Sequence, residues 1–406
     1  MHVAAVIGAN YGDEGKGLIV DYLARDYSLV VRFNGGAQAG HTVTLADGRR
    51  HVFHHFGSGS FRGAATFLSE YFIVNPVVFA EELMVLKRLG VSPTVIVDPN
   101  ATITTPWDMM VNQALEARRL KSRHGSCGLG VHETVVRNEV APFRVSDLCS
   151  NSGAWLDRLA GIREVYISDR MGELGLSKED IPLLHSPAIY DRFLADLGTL
   201  KSNITTRLWG SDLTSPYPSV IFEGAQGLQL AQDAVGFPHV THSHTGITNV
   251  VKMAVGAGIE LVDAYYVTRP YLTRHGAGPL PNELPGPPTF LVRDATNITN
   301  EWQGSLRFAD LDISTLRNDI SADVIKGDGI QVRPHVVVTC LDHVHRRVYW
   351  KEGSKVVSAK KEELPLIIAS GIARSALTSN GPTREAVREI YPAQLPSSSA
   401  DTKVTP

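Results

Sequence analysis

The sequence predicts an α/β protein with a large, mostly parallel central sheet flanked by helices. Three observations lead there. His2–Ile7 is a continuous apolar run, the pattern of a strand buried on both faces. Further strand-like runs at Leu29–Phe33, Tyr71–Val74, Thr94–Val97, Ser219–Phe222, Ala264–Val267 and Val336–Thr339 alternate with helical patterns such as Val77–Leu89 and Trp107–Leu120. Most of these runs lead straight into stretches rich in Gly, Asn, Thr or His, and in such sheets ligands bind beyond the carboxyl ends of the strands.

The composition fits that class. Of 406 residues 43% are apolar, and 39 basic against 42 acidic side chains leave a net charge of −3. This excludes disorder of the whole chain, and the length allows a large core without covalent staples. Cys127, Cys149 and Cys340 are odd in number and far apart, which gives neither a disulfide framework nor zinc spacing. Met1–Ile7 runs into Gly8 without a basic leader, and no apolar run approaches the roughly 18 residues of a membrane span. A cytoplasmic protein without membrane contact is expected. The charge balance carries no footprint for a polynucleotide, so the ligands to look for are small. One large domain over residues 1–392 is expected, interrupted by long Pro- and Asn-rich segments at Gly276–Pro288 and Phe290–Gly304. Residues 393–406 have the composition of a disordered tail.

The first strand ends in Gly8-Ala-Asn-Tyr-Gly12-Asp13-Glu14-Gly15-Lys16-Gly17, ahead of a helical pattern. Glycines let successive N–H groups point at phosphate oxygens, the helix N-terminus favours the anion, and Lys16 adds a point charge. This is the logic of a P-loop, but the spacing is longer and Gly17 replaces the hydroxyl that would hold magnesium. Asp13 is the candidate to hold the metal instead. The second strand leads into Asn34-Gly-Gly-Ala-Gln-Ala-Gly40-His41-Thr42, which presents a histidine suited to acid catalysis near neutral pH. Phe222-Glu-Gly-Ala-Gln226 repeats the pattern with an amide able both to donate to and to accept from a purine edge. His242 and His244 lack a third ligand at metal spacing.

In order and at similar spacing, these loops, together with Val240-Thr241 and the Arg274–Leu284 run, resemble motifs of adenylosuccinate synthetase. They also resemble the phage branch that makes 2-aminoadenylosuccinate from deoxyguanylate. The resemblance implies a ligase that joins L-aspartate to C6 of a 6-oxopurine nucleotide through a 6-phosphoryl intermediate, driven by a nucleoside triphosphate with Mg2+, usually as a homodimer. IMP and GTP are the default substrates, with dGMP and ATP or dATP as the phage-type alternative. A different P-loop phosphotransferase and an inactive nucleotide-binding regulator are the readings from other classes.

The resemblance also implies roles. Asp13 takes the purine N1 proton and ligates the metal, the Gly40 carbonyl is a second metal ligand, and His41, Lys16 and Gln226 complete the catalytic set. Gly12, Glu14, Gly15, Lys16, Gly17, Gly40 and Thr42, with Asp342, Ser379, Gly381 and Pro382, are implied at the triphosphate. Asp13, Gln38, Ser126, Cys127, Arg137, Gln226 and Thr241 are implied at the acceptor nucleotide, and Asn297, Thr299 and Arg307 at aspartate. Several positions depart from the family. Gln38 stands for Asn, Ser126-Cys127-Gly128-Leu129 for Thr-Thr-Gly-Arg, and Cys340 for the Lys that covers the triphosphate's base, while Arg307 alone remains of several arginines.

Overall fold

The computed structural model describes residues 1–119, 125–150, 152–286, 304–352 and 355–390. Asn297, Thr299, most of the Phe290–Gly304 segment and the 393–406 tail lie outside the described residues. In chain order the strands are β1 (His2–Gly8), β2 (Leu29–Arg32), β3 (His41–Thr44), β4 (Arg50–Phe53), β5 (Ala65–Leu68), β6 (Val95–Val97), β7 (Thr205–Thr206), β8 (Ser219–Glu223) and β9 (Leu261–Thr268). There follow β10 (Leu272–Arg274), β11 (Arg307–Ala309), β12 (Leu311–Asp312), β13 (Gln331–Val338), β14 (Arg347–Glu352), β15 (Lys355–Lys360), β16 (Ala376–Ser379) and β17 (Val387–Ile390).

Ten of these form the central sheet, in the order β17-β16-β13-β9-β1-β8-β2-β5-β6-β7. Every neighbouring pair is parallel except β16 with β17. The apolar run of β1 has a direct cause. Val3, Ala5 and Ile7 pack with the helices Thr248–Gly256 and Ile313–Ile325 on one face. Ala4 and Val6 pack with Leu18, Ile19, Val20 and Leu23 of α1 (Lys16–Leu23) on the other. A strand covered on both faces has no position for a polar side chain. Because β1 lies between β8 and β9, the loops after β1, β2, β8 and β9 converge at one end of the sheet.

One predicted strand is different in the structure. Tyr71–Val74 is a turn whose Ile73 and Val74 make single bridges to Gly36 and Ile103, and the sheet strand is Ala65–Leu68. Tyr71–Val74 is the more apolar segment because Phe72 and Val74 are buried in a second core under α2 (Pro76–Arg88) and α3 (Pro106–Arg119). Burial, not ladder pairing, wrote that pattern. Asn75 caps α2 by accepting from the Val77 and Val78 N–H groups.

Arg137 is also placed differently from the reading that put it at the nucleotide. It lies in α4 (Val131–Val140), fully buried, with Nε donating to Asp108 at 2.9 Å and its other nitrogens to the carbonyls of Ala141 and Ile103. Its guanidinium is consumed in fixing α4 on α3. Arg137→Ala strands the buried Asp108 carboxylate and is expected to cost about 3–5 kcal/mol, read as a lower urea midpoint. Pairing it with Asp108→Asn should recover part of the loss; a midpoint unchanged by Arg137→Ala would contradict this role.

Candidate functional site

The loop after β1 folds around its own carboxylate. Glu14 is buried, its Oε1 accepting the N–H groups of Asn10 at 3.1 Å and Gly12 at 2.8 Å, and its Oε2 accepting from Lys16 Nζ at 2.8 Å. Thr339, just beyond β13, donates its hydroxyl to the Glu14 carbonyl at 2.6 Å. Gly8 has no room for a β-carbon, which would fall 2.4 Å from the Gln226 carbonyl and 2.5 Å from Glu14 Oε2. With Glu14 turned inward, Asp13 takes a left-handed backbone (φ 61°) on the cleft side. Its Oδ2 lies 3.1 Å from His275 Nε2. Burial pushes the Asp13 carboxyl up, but the His275 hydrogen bond and the charges of His275, Arg269 and Lys16 outweigh it and hold it below its ordinary value.

The second imidazole of the cleft is His41, at the start of β3. Its Nδ1 lies 2.5 Å from Glu223 Oε1 at the end of β8, and Glu223 also accepts from Ser58 N–H at 2.9 Å and from the Ser58 hydroxyl. Both His41 and Glu223 are buried. Burial pulls the imidazole down to about 4 against the attraction of Glu223. Glu223 is held at about 2, because His41, Arg32 and Ser58 together overcome the burial that would raise it. With Nδ1 committed to Glu223, Nε2 is left for the cleft.

A cleft of about 1020 Å³ joins these groups. Of the residues singled out from the sequence, Gly12, Asp13, Gly15, Lys16, Gly17, Gln38, Gly40, His41, Thr42, Ser126, Cys127, Gln226 and Thr241 stand on its wall. Gln226 has a left-handed backbone (φ 55°), and its side-chain oxygen, together with both amide atoms of Gln38, is buried without a protein partner. Buried amides without partners are what a ligand edge satisfies. Ser126 is held by Asn112 at 3.0 Å, while burial pushes the Cys127 thiol up to about 11, which makes it an inert group.

Other expected residues are elsewhere. Glu14 serves the loop rather than the cleft. Arg307 is bidentate to Glu283, its NH1 bonds the carbonyls of Gly276 and Gly278 at 3.1 and 2.8 Å, and it is not on the cleft wall. It thus clamps the loop that carries His275. Asp342, Ser379, Gly381 and Pro382 are also off this wall, Ser379 donating to the Gly381 carbonyl at 2.6 Å. Asp342 lies in the short turn Leu341–His343, three residues past Thr339. Sequence reading missed Glu223, His275 and His54. The first was legible as an acid closing a strand, and the other two as histidines beside glycine-rich or apolar segments.

A divalent cation fits this donor set. Asp13 and the Gly40 carbonyl are hard oxygen donors, and among the described residues no cluster of three or more His, Cys, Asp or Glu could hold a metal ion alone.

Fold and cleft define an α/β protein with a large, mostly parallel sheet and a glycine-rich loop after β1 on the cleft wall. The adenylosuccinate synthetase family model matches residues 5–318, so the chain belongs to the adenylosuccinate synthetase family. It is 31% identical to adenylosuccinate synthetase of Acaryochloris marina over 285 residues, 69% of this chain and 62% of that protein. Over 290 residues it is 33% identical to that of Anaeromyxobacter sp. strain K, 69% of this chain and 64% of the relative. The matched stretch thus spans less than two thirds of these relatives' length. Among solved structures, the fully ligated adenylosuccinate synthetase of Plasmodium falciparum shares the fold with a TM-score of 0.72 at 21% identity, covering 95% of this chain and 99% of that one. The succinoaminodeoxyadenylate synthetase of cyanophage S-2L, bound to dGMP and dATP, has a TM-score of 0.60 at 16% identity, covering 96% and 95%.

The His41–Glu223 pair predicts an acid weakness. Both groups titrate below their ordinary values of 6.5 and 4.5, so the unfolded chain binds their protons first. Their contribution is complete above pH 6.5 and is lost as pH falls through about 4 and then about 2. The urea midpoint is expected to drop between pH 6.5 and 4, and His41→Asn to flatten that part of the curve; an equally steep curve for the variant would count against it.

Proposed function

We propose that the chain joins L-aspartate to C6 of a 6-oxopurine nucleotide, with IMP as acceptor, GTP as phosphoryl donor and Mg2+ as cofactor, in purine nucleotide biosynthesis. The observation that carries this reading is the convergence on one cleft of Asp13, Lys16, His41 and the unpartnered amides of Gln38 and Gln226. The chemical difficulty is that an oxo group leaves poorly, and phosphorylating O6 converts it to phosphate, which an amine can displace.

Asp13 is ionised at neutral pH, so its oxygen is ready to accept the N1 proton as charge builds on O6. Its lowered proton affinity makes it a weak base, and its strength as a catalyst therefore lies in enforced geometry: the left-handed backbone and the His275 bond hold it in place. Lys16 and the Gly15 and Gly17 amides receive the phosphates. His41 is neutral in the free cleft, and a phosphate anion approaching Nε2 favours its imidazolium, which then donates to the transferred group. Glu223 supports that proton through Nδ1. Mg2+, held by Asp13 and the Gly40 carbonyl, would supply Lewis-acid stabilisation of phosphate charge. The enzyme works in the cytoplasm as a homodimer. Among the described residues no helix is long and apolar enough to cross a membrane.

Purified protein with IMP, aspartate, Mg2+ and GTP should show aspartate-dependent formation of the succinyl adduct by absorbance. Asp13→Ala and His41→Ala should each lower kcat at least about 100-fold. Activity confined to dGMP with ATP or dATP would replace the IMP reading by the phage-type one, and triphosphate turnover without aspartate dependence would overturn both.

A further inference from the structure

Two buried charges converge on the peptide groups around one half-buried imidazole of the cleft. Arg32, at the end of β2, is fully buried, yet only NH1 has a hydrogen-bond partner, the His54 carbonyl at 2.8 Å; Nε and NH2 have none. Glu82 of α2, also buried, accepts the His54 N–H at 2.9 Å and the His55 N–H at 2.7 Å. His54 therefore has its backbone donor on a carboxylate and its backbone acceptor on a guanidinium. Its ring is tied as well, since Nδ1 lies 2.8 Å from the Ala37 carbonyl. A carbonyl only accepts, so Nδ1 must carry the hydrogen.

His54 stands on the cleft wall with Lys16, Gly40, His41 and Thr42. Gly40 must be glycine beside it, because a β-carbon there would meet Val52 Cγ1 at 2.9 Å and His54 Cε1 at 3.3 Å. With Nδ1 committed to Ala37, the ring's remaining polar atom is Nε2. Burying an arginine and a glutamate costs several kcal/mol each unless their partners compensate; Glu82 is also paired with the rings of His51 at 3.4 Å and His55 at 3.6 Å, whereas the hydrogen bond of Arg32 goes to the His54 carbonyl alone. Such an arrangement can hold a cleft-facing side chain to within about 0.5 Å.

We propose that His54 is a phosphate-contacting residue of the cleft, its imidazolium donating through Nδ1 to the Ala37 carbonyl and through Nε2 to a phosphate oxygen of a bound nucleotide, and that Arg32 and Glu82 are its positioning residues. This rests on the nucleotide reading above and adds a contact to it. His41 and His54 then face the cleft with the same polarity, each fixed through Nδ1 and each offering Nε2.

The test uses two substitutions that separate the ring's nitrogens. In His54→Asn the amide nitrogen stands near the place of Nδ1 and keeps the Ala37 bond, whereas in His54→Gln it stands near the place of Nε2 and keeps the ligand contact. The expected result is a kcat/KM about ten- to hundredfold below wild type for His54→Asn, with His54→Gln retaining clearly more. Glu82→Gln and Arg32→Lys should raise KM for the phosphate-bearing substrate more than they lower the urea midpoint. Independently of turnover, the His54 Nε2 resonance of nitrogen-15-labelled protein should move on adding GTP with Mg2+ or IMP, and the arm giving the larger shift identifies the source of the phosphate; inorganic phosphate is the third arm. His54→Asn as active as His54→Gln, or no movement of the resonance in any arm, overturns the proposal. A wild-type protein without aspartate-dependent turnover whose resonance still moves would sink the ligase reading and leave this one standing.

Discussion

The carboxylate of Glu14 is buried inside the loop that it folds, and the geometry of the cleft follows from that. It takes up the Asn10 and Gly12 N–H groups and the Lys16 ammonium, so the loop is closed by its own anion before any ligand arrives. Two consequences follow. Glu14 does not engage the amides nearer α1, and Asp13 stands on the cleft side in a left-handed conformation. The Thr339 bond to the Glu14 carbonyl extends the constraint to β13, and with it to the turn that carries Asp342. The two adjacent acids of the loop thus divide their labour, with Glu14 shaping the loop and Asp13 facing the cleft.

The same device recurs through the site: an ionisable partner fixes the group on the cleft wall, buried at Glu223, Arg32 and Glu82 and part-exposed at His275. Glu223 holds His41, His275 holds Asp13, and Arg32 with Glu82 holds the His54 peptide. Arg307 and Glu283 clamp the loop that presents His275. The His41–Glu223 and Asp13–His275 pairs join loops that the order of the parallel strands brings to one end of the sheet.

Much of this was legible in the residues. β1 announces itself because both faces are covered, leaving only apolar positions, and the glycine-rich loop after it falls on the cleft wall, beyond the carboxyl end of the strand where it was sought. Other signals misled. Tyr71–Val74 is apolar through burial in the α2–α3 core and not through strand pairing, whereas the true strand Ala65–Leu68 is short and contains a threonine. Arg137 and Arg307 are arginines in the expected neighbourhood, yet Asp108 and Glu283 had already claimed them. An arginine's type is visible in a sequence, but its partner is not.

By itself the sequence determined where most strands of the central sheet run and which polar, glycine-rich loops follow them. Those features depend on residues within a few positions of one another, through backbone conformation and the side chain's own alternation. Only the tertiary structure decided which charged groups meet. A hydrogen bond forms only when its atoms come within about 3 Å, and His41 and Glu223 are 182 positions apart. That distance is closed by the order of β1, β8 and β2 in the sheet, a consequence of packing that no local pattern records.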